Sequence, residues 1–368
     1  MSRCRVGFCL SDKKRRRMNL DGFAEFCADH GVEVVEIDFT QPLEPQGPFD
    51  VIVHKLSDVI VEAQHEKQSK QLLVDFQTHN GHDIKGKYLE HSTAKQMNWK
   101  ESYVSAHSRI VLLDPLAAMT QILDRFTSYR IMSKLHNSLR DWRICSPPYL
   151  EVQSASDMPS VQQKVMTQNL SFPLICKTRV AHGSLSHEMS LIFSEGCLSE
   201  IQPPCVLQNF VNHGAVLHKV FVVGERHFCV ERPSLKNFPT GQCDRKTIFF
   251  NSQQVSKPES SSDLTAMDEQ IPCLPPPSTE AVAALVQELR VQLGMSLFGV
   301  DVIINTQTYT LTVIDINVFP GYEGVPQFFS SLLSLIESVL DKQASSAGSP
   351  DQMTKHQGAT STMGRDTM

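Results

Sequence analysis

Two apolar stretches near the end of the chain, LFGVDVIIN and TVIDINVFPGYEGV, each accept an acid in what otherwise reads as a buried strand. Asp301 sits among Val300, Val302, Ile303 and Ile304, and Asp315 is followed two positions later by Asn317. Residues i and i+2 of a strand share a face, so Asp315 and Asn317 project together. NTQTY between the strands supplies turn residues. A three-residue loop of Gln307, Thr308 and Tyr309 sets Asp301 opposite Asp315, with Cβ atoms about 4.5–5.5 Å apart. Facing carboxylates repel, and burying them unpartnered is expensive. A divalent cation removes both objections, and Mg2+ takes hard oxygen ligands of the kind that Asp301, Asp315 and Asn317 present. The bland alternative is a hairpin end facing solvent. Gly321 and Gly324 after the second strand fit a tight turn where backbone approaches a ligand closely.

A magnesium site of this type implies a phosphate, and the cations to meet one are present. FPLICKTRVAHGSLSHEM delivers Lys177 at the end of an apolar strand, followed by Arg179, His182, Gly183 and His187. Lys219 lies between Leu217 and Val220, where an anionic partner is expected unless the side chain snorkels to water. RPSLKNF adds Arg232, Ser234 and Lys236. Near the start, five consecutive bases run from Lys13 to Arg17, read as a loop at the carboxyl end of the first strand. That is where open α/β sheets bind ligands. A solvated basic run or a localisation patch is the competing reading. Lys55 repeats the placement after VIVH.

Around these sites the pattern is α/β. RVGFCL, VEVVEIDF and GPFDVIVH read as strands and MNLDGFAEFCADHG as a helix ending at Gly31, giving an N-terminal parallel-sheet domain over residues 1–115. Its polar, irregular segment 78–102 reads as an inserted surface loop. AAMTQILDRFTSYRIMSKLHNSL reads as one amphipathic helix. Strands dominate from Phe172 onward, so residues 116–342 form a second domain with a central lobe at 116–215 and a C-terminal lobe at 216–342. Residues 343–368 read as a disordered tail. Acids exceed bases by only six in 368 residues, which argues against a nucleic-acid partner. No apolar run approaches a membrane span or a signal peptide. The ten cysteines include no CxxC pair, and with core-like neighbours they read as reduced. The expectation is a cytoplasmic monomer.

Taken together, GPFDVIVHKLSDVI, RICSPPY, FPLICKTRVAHG, SHEM, RPSLKNF, FFNSQQVSKPESSS, LFGVDVIIN and VIDINVFPGYEGV resemble the inositol 1,3,4-trisphosphate 5/6-kinase family of ATP-grasp enzymes, over Arg5 to about Leu340. The resemblance implies an ATP-grasp fold, with ATP between two antiparallel sheets. The implied activities are those of an inositol 1,3,4-trisphosphate 5/6-kinase and an inositol 3,4,5,6-tetrakisphosphate 1-kinase. ATP would be co-substrate with two Mg2+ ions on Asp301, Asp315 and Asn317. Arg125, Lys177, Gln208, Lys219, Ser234, Ser252 and Ser256 match nucleotide-contacting positions. Lys14, Lys55, His187, Lys219, Asn317 and Gly321 match positions that hold the inositol phosphate, with His182 nearby. Lys219, His187 and Asp315 are the expected catalytic set, working by positioning and charge neutralisation. A carboxylate–amine ligase of the same fold and a catalytically impaired inositol-phosphate-binding paralogue are the alternatives.

Overall fold

Val51, Ile52, Val53 and His54 are buried without interruption, as a strand must be when both faces of its sheet are covered. In the computed structural model, which describes residues 4–38, 41–62, 107, 109–266 and 274–347, this segment is β3 of the N-terminal sheet. Cys4–Cys9 forms β1, Val32–Glu36 β2, Val51–His54 β3 and Val111–Leu113 β4. They pair in parallel in the order β2-β1-β3-β4. The expected insertion at 78–102 lies outside the described residues, as does the tail beyond 347.

The basic run is a helix rather than a loop. Asp12–Met18 forms α1, ended by Asn19 in the left-handed region (φ 53°). The Asn19 side chain then accepts from Gly22 N and caps α2, Leu20–Asp29. Lysine and arginine are good helix formers, and Asn tolerates the left-handed step. Ser57–Glu62 is α3. The helix expected after Asp114 is likewise two, Leu116–Leu123 (α4) and Arg125–Leu139 (α5). Asp124 breaks it in extended conformation (φ −98°, ψ 110°), accepts from Phe126 N and makes an isolated bridge to Val180.

Two antiparallel sheets complete the fold. The central one, ordered β12-β8-β7-β9-β6, comprises Tyr149–Val152 (β6), Leu174–Thr178 (β7), Glu188–Ile192 (β8), Cys205–Asn209 (β9) and Ile248–Asn251 (β12). Met158–Thr167, α6, covers one face, where Leu150, Val161, Val165, Leu174, Cys176 and Leu207 share a core. The C-terminal sheet runs β11-β10-β13-β14-β5, with Ile144–Cys145 (β5), Val216–Val223 (β10), Arg226–Pro233 (β11), Leu297–Ile304 (β13) and Leu311–Val318 (β14). Only its β14–β5 pair is parallel. Sheet membership departs from the lobe limits read in the sequence. β5 pairs with β14, and α4 and α5 pack on that same strand, whereas β12 returns to the central sheet beside β8.

Ser252–Val255 forms the one-turn α7. Thr279–Leu293 is α8, capped by the Ser278 side chain and closed by Gly294 at φ 63°. Phe328–Ala347 is α9, five residues beyond the point where the tail was expected to begin. Phe329 meets Phe23 edge-on at 5.5 Å, and Phe23 meets Phe8 at 5.6 Å. The last helix is thereby docked onto the N-terminal domain, in one continuous core with the C-terminal sheet. Among the described residues no helix is long and apolar enough to cross a membrane, and the cysteines are free.

Candidate active site

The β13–β14 hairpin sets Asp301 directly opposite Asp315, by a route different from the expected one. Its loop has four residues, 306–309, since Asn305 N donates to the Thr310 carbonyl (3.1 Å). That register alone would put Ile314 across from Asp301. An irregularity between Asp301 and Val302 leaves Ile314 as the extra residue and restores the pairing with Asp315. The bulge has a local consequence as well: the Ile314 carbonyl accepts from Lys177 Nζ at 2.9 Å. Bulges redirect backbone groups in this way beside active sites.

Each carboxylate has its own cations. Lys219 is the cross-strand neighbour of Asp301 on β10, and its Nζ donates to both carboxylate oxygens at 3.1 and 3.2 Å. Asp315 Oδ2 has Lys177 Nζ and Arg125 Nη2 each at 3.9 Å. Arg125, the first residue of α5, donates to the Thr178 carbonyl (2.7 Å), Thr178 Oγ1 (3.1 Å) and the Ser186 carbonyl (2.9 Å). Its Nε is buried without a hydrogen-bond partner among the described residues. Burial lowers the Lys177 pKa to about 8, with the Asp315 charge opposing the shift. Asn317, paired with Gly299, is partly exposed two positions along from Asp315. Two carboxylates and an amide oxygen form a hard donor set that fits Mg2+, which commonly leaves its other positions to water and phosphate.

Gln208 on β9 is buried, and its Oε1 accepts from the Tyr129 hydroxyl. The Tyr129 ring in turn lies 5.4 Å from Lys177 Nζ, so a residue unmarked in the sequence joins two that were marked. His187 ends the short turn Ser184–His187 before β8, within reach of the charges of Arg125, Asp315 and Lys219. Burial, then the Arg125 charge, lowers its pKa to about 4. Gln253 Nε2 donates to His187 Nε2 at 2.8 Å, which leaves the ring proton on Nδ1, 3.4 Å from Ser252 Oγ. Ser256 ends the same short helix. Ser234 stands apart, bonded to the buried ring of His213 (2.7 Å).

The third group gathers around the turn after β14. Lys14 is buried on α1. It donates to the Pro320 carbonyl and lies 3.7 Å from the Phe319 ring centroid. Lys55 Nζ donates to the Phe319 carbonyl at 3.1 Å. Burial lowers both lysines' pKa values, that of Lys55 to about 8. Gly321 follows directly. His182, on the loop after β7, bonds Asp58 of α3 and so ties the central lobe to the N-terminal domain. The structure thus brings Asp301, Asp315, Lys177, Lys219, Arg125 and Gln208 into one cluster, and Lys14, Lys55 and Gly321 into another. Sequence reasoning missed Tyr129, Gln253 and the Ile314 carbonyl, and none carries a local signal.

Comparison with known proteins gives a consistent picture. The profile of the inositol 1,3,4-trisphosphate 5/6-kinase ATP-grasp domain matches residues 138–338, and that of the pre-ATP-grasp domain matches residues 5–119. The chain is 47% identical over 339 residues to inositol-tetrakisphosphate 1-kinase of Danio rerio, covering 92% of this chain and 80% of that protein. It is also 47% identical over 345 residues to the enzyme of the same name from Xenopus laevis, covering 93% and 81%. Among solved structures, the D-alanine–D-alanine ligase of Bacillus anthracis complexed with ATP covers 94% of this chain and 100% of its own, with a TM-score of 0.51 at 13% identity. That last likeness is one of fold.

Proposed function

The chain belongs to the inositol 1,3,4-trisphosphate 5/6-kinase family of ATP-grasp enzymes and is an inositol phosphate kinase. From that premise we propose that it passes the γ-phosphate of ATP to a ring hydroxyl of an inositol polyphosphate at the β13–β14 hairpin. The observation that carries the reading is the opposition of Asp301 and Asp315, with Lys219 on one carboxylate and Lys177 and Arg125 beside the other. In this reading Asp301, Asp315 and Asn317 hold Mg2+. Bound there, the metal neutralises charge on the phosphate oxygens during transfer.

The chain's own groups supply position and charge. Lys177 and the unsatisfied Nε edge of Arg125 meet the ATP phosphates, and Gln208, Ser234, Ser252 and Ser256 contact the nucleotide. Lys14, Lys55, Asn317 and Gly321 hold the inositol phosphate. Burial lowers the His187 pKa to about 4, so it adds no charge beside the acceptor; its one ring proton, on Nδ1 and 3.4 Å from Ser252 Oγ, is the donor it can redirect. Lys219 spans both substrates, stabilising the phosphoryl group between them. Buried, pre-arranged cations act strongly on developing charge because water is excluded. The reading takes the protein as a cytoplasmic monomer, which light scattering and cell fractionation check.

The test is transfer of radiolabelled γ-phosphate from ATP to inositol 1,3,4-trisphosphate, with and without Mg2+, on the full chain and on a version lacking residues 78–101. Labelled tetrakisphosphate that requires both metal and acceptor is expected from the full chain. Binding of the inositol phosphate with no transfer would identify an impaired paralogue instead, and transfer only by the shortened version would assign the impairment to that segment.

A further inference from the structure

Glu323 lies in the turn after β14, two residues beyond Gly321. Its side chain folds back over that glycine: a methyl group placed on Gly321 would run into the Glu323 carboxylate. The turn fixes this position. Arg232 Nη2 donates to the Glu323 carbonyl at 2.8 Å, and Tyr322 and Val325 on either side are buried. Three cations interact with the carboxylate's charge. Arg17 Nε stands 3.9 Å from Glu323 Oε1, and the carbonyls of Phe319 and Pro320 just upstream hold Lys55 and Lys14. Burial lowers the pKa of both lysines, and the Glu323 charge opposes the shift in each. Asp58, Arg17 and Lys13 also act on Lys55, and Lys55 and Arg17 on Lys14. The Glu323 side chain is 53% exposed, so it can leave without disturbing the core.

We propose that Glu323 is a resident counter-ion of the inositol-phosphate site, held over Gly321 where a substrate phosphate would otherwise meet Lys14, Lys55 and Arg17, and displaced when a phosphorylated inositol binds. This deepens the proposed function and rests on it. In the empty protein the carboxylate offsets repulsion among cations that are partly or wholly out of water. Once a phosphate arrives, the same carboxylate is a like charge at close range and must swing into solvent. Its displacement subtracts from affinity, which makes Glu323 a specificity-determining residue: a ligand must carry enough negative charge at this position to take its place.

The experiment is calorimetric titration of inositol 1,3,4-trisphosphate into the full chain and into Glu323→Gln, with thermal melting as the fold check. The variant is expected to bind roughly two- to fivefold more tightly, the effect of an exposed charge pair. That gain should shrink when salt is raised from about 0.02 to about 0.3 M, as the Debye length shortens. Glu323→Asp, which keeps the charge, should show no gain. Unchanged or weaker binding by Glu323→Gln would overturn the proposal, as would an equal gain in Glu323→Asp. If the unmodified chain does not bind the trisphosphate at all, the functional reading fails and the proposal with it; binding that Glu323→Gln leaves unaltered sinks the proposal alone.

Discussion

Asp315→Asn separates what the hairpin contributes to stability from what it contributes to transfer. Asp315 is faced by two cations 3.9 Å away, each only 4% exposed. At an effective dielectric near 20, a unit pair at that separation interacts by about 4 kcal/mol. Removing one member of a buried pair costs about 3–5 kcal/mol, because the other charge remains behind. Two features hold the loss to the lower end. Lys177 already has its pKa lowered to about 8 by burial, with Asp315 the main opposing influence; without that carboxylate it falls further, and the amine sheds its proton. Arg125 cannot do so, but it keeps its carbonyl acceptors at Thr178 and Ser186. The expected destabilisation is about 3 kcal/mol. Asp301→Asn is the comparison: its partner Lys219 is 27% exposed, and a screened pair contributes about 1 kcal/mol or less. Urea unfolding should rank Asp315→Asn well below Asp301→Asn, while both lose Mg2+-dependent transfer. The pH dependence has a fixed sign. A lysine whose folded pKa lies below its unfolded value of 10.5 destabilises the fold at low pH, and the penalty disappears as pH rises. The deficit of Asp315→Asn against the unmodified protein should therefore narrow as pH approaches about 8, where Lys177 neutralises in both. Equal stability of the two variants, or a deficit that widens toward pH 8, would refute the reasoning.

Lys177→Met keeps the bulk and removes the charge. If Lys177 meets an ATP phosphate, a charge-assisted bond of about 1.5–3 kcal/mol is lost and nucleotide affinity drops roughly ten- to hundredfold; a change under about twofold in a fluorescent-nucleotide titration contradicts that role. Asp114 tests burial away from the chemistry. It accepts from Ser296 N and Leu297 N at 2.8 Å, and burial raises its pKa from 3.8 to about 6 against those bonds. The folded state therefore holds this proton more tightly than the unfolded one, so the stability it contributes is present below pH 3.8 and lost as pH rises through about 6. At about 1.4 kcal/mol per unit, stability relative to Asp114→Asn should fall by about 2.5 kcal/mol between pH 4 and 7. A flat difference across that range would show that Asp114 does not titrate as a buried acid.

The hairpin was legible because an acid inside an apolar strand violates the local pattern, and a strand's twofold period says which neighbour shares its face. The pairing of Asp301 with Asp315 was reached through a three-residue loop, whereas the chain uses four residues and a bulge. The two one-residue departures cancel. Ile314 looks like any apolar strand residue, so its bulge has no sequence signal; it becomes visible only as the carbonyl that receives Lys177. Similar reasons hid the helix over the basic run and the break at Asp124. Asn19 and Asp124 are ordinary polar residues until the chain on the far side, Gly22 in one case and Val180 in the other, is in place. Arg125 was named through resemblance alone. Its partners at Thr178 and Ser186 lie 53 and 61 residues away.

These partners share a property that bears on function. Lys14 is held by the Pro320 carbonyl, Lys55 by that of Phe319, Lys177 by that of Ile314, and Arg125 by those of Thr178 and Ser186. A carbonyl dipole satisfies a buried cation's donors without cancelling its charge, whereas a contacting carboxylate does both. A site built mostly on carbonyls can therefore fold before any ligand arrives and still present net positive charge to a polyanion. Carboxylates mark where charge must be managed: Lys219 is bonded to Asp301, Lys177 and Arg125 stand 3.9 Å from Asp315, and Arg17 stands 3.9 Å from Glu323. Asp301 and Asp315 belong to the proposed metal set, and Glu323 is the proposed counter-ion. These carboxylates are thus the groups expected to change partners when substrates bind. Backbone carbonyls carry no residue identity, so this division of labour is absent from the sequence and exists only in the fold.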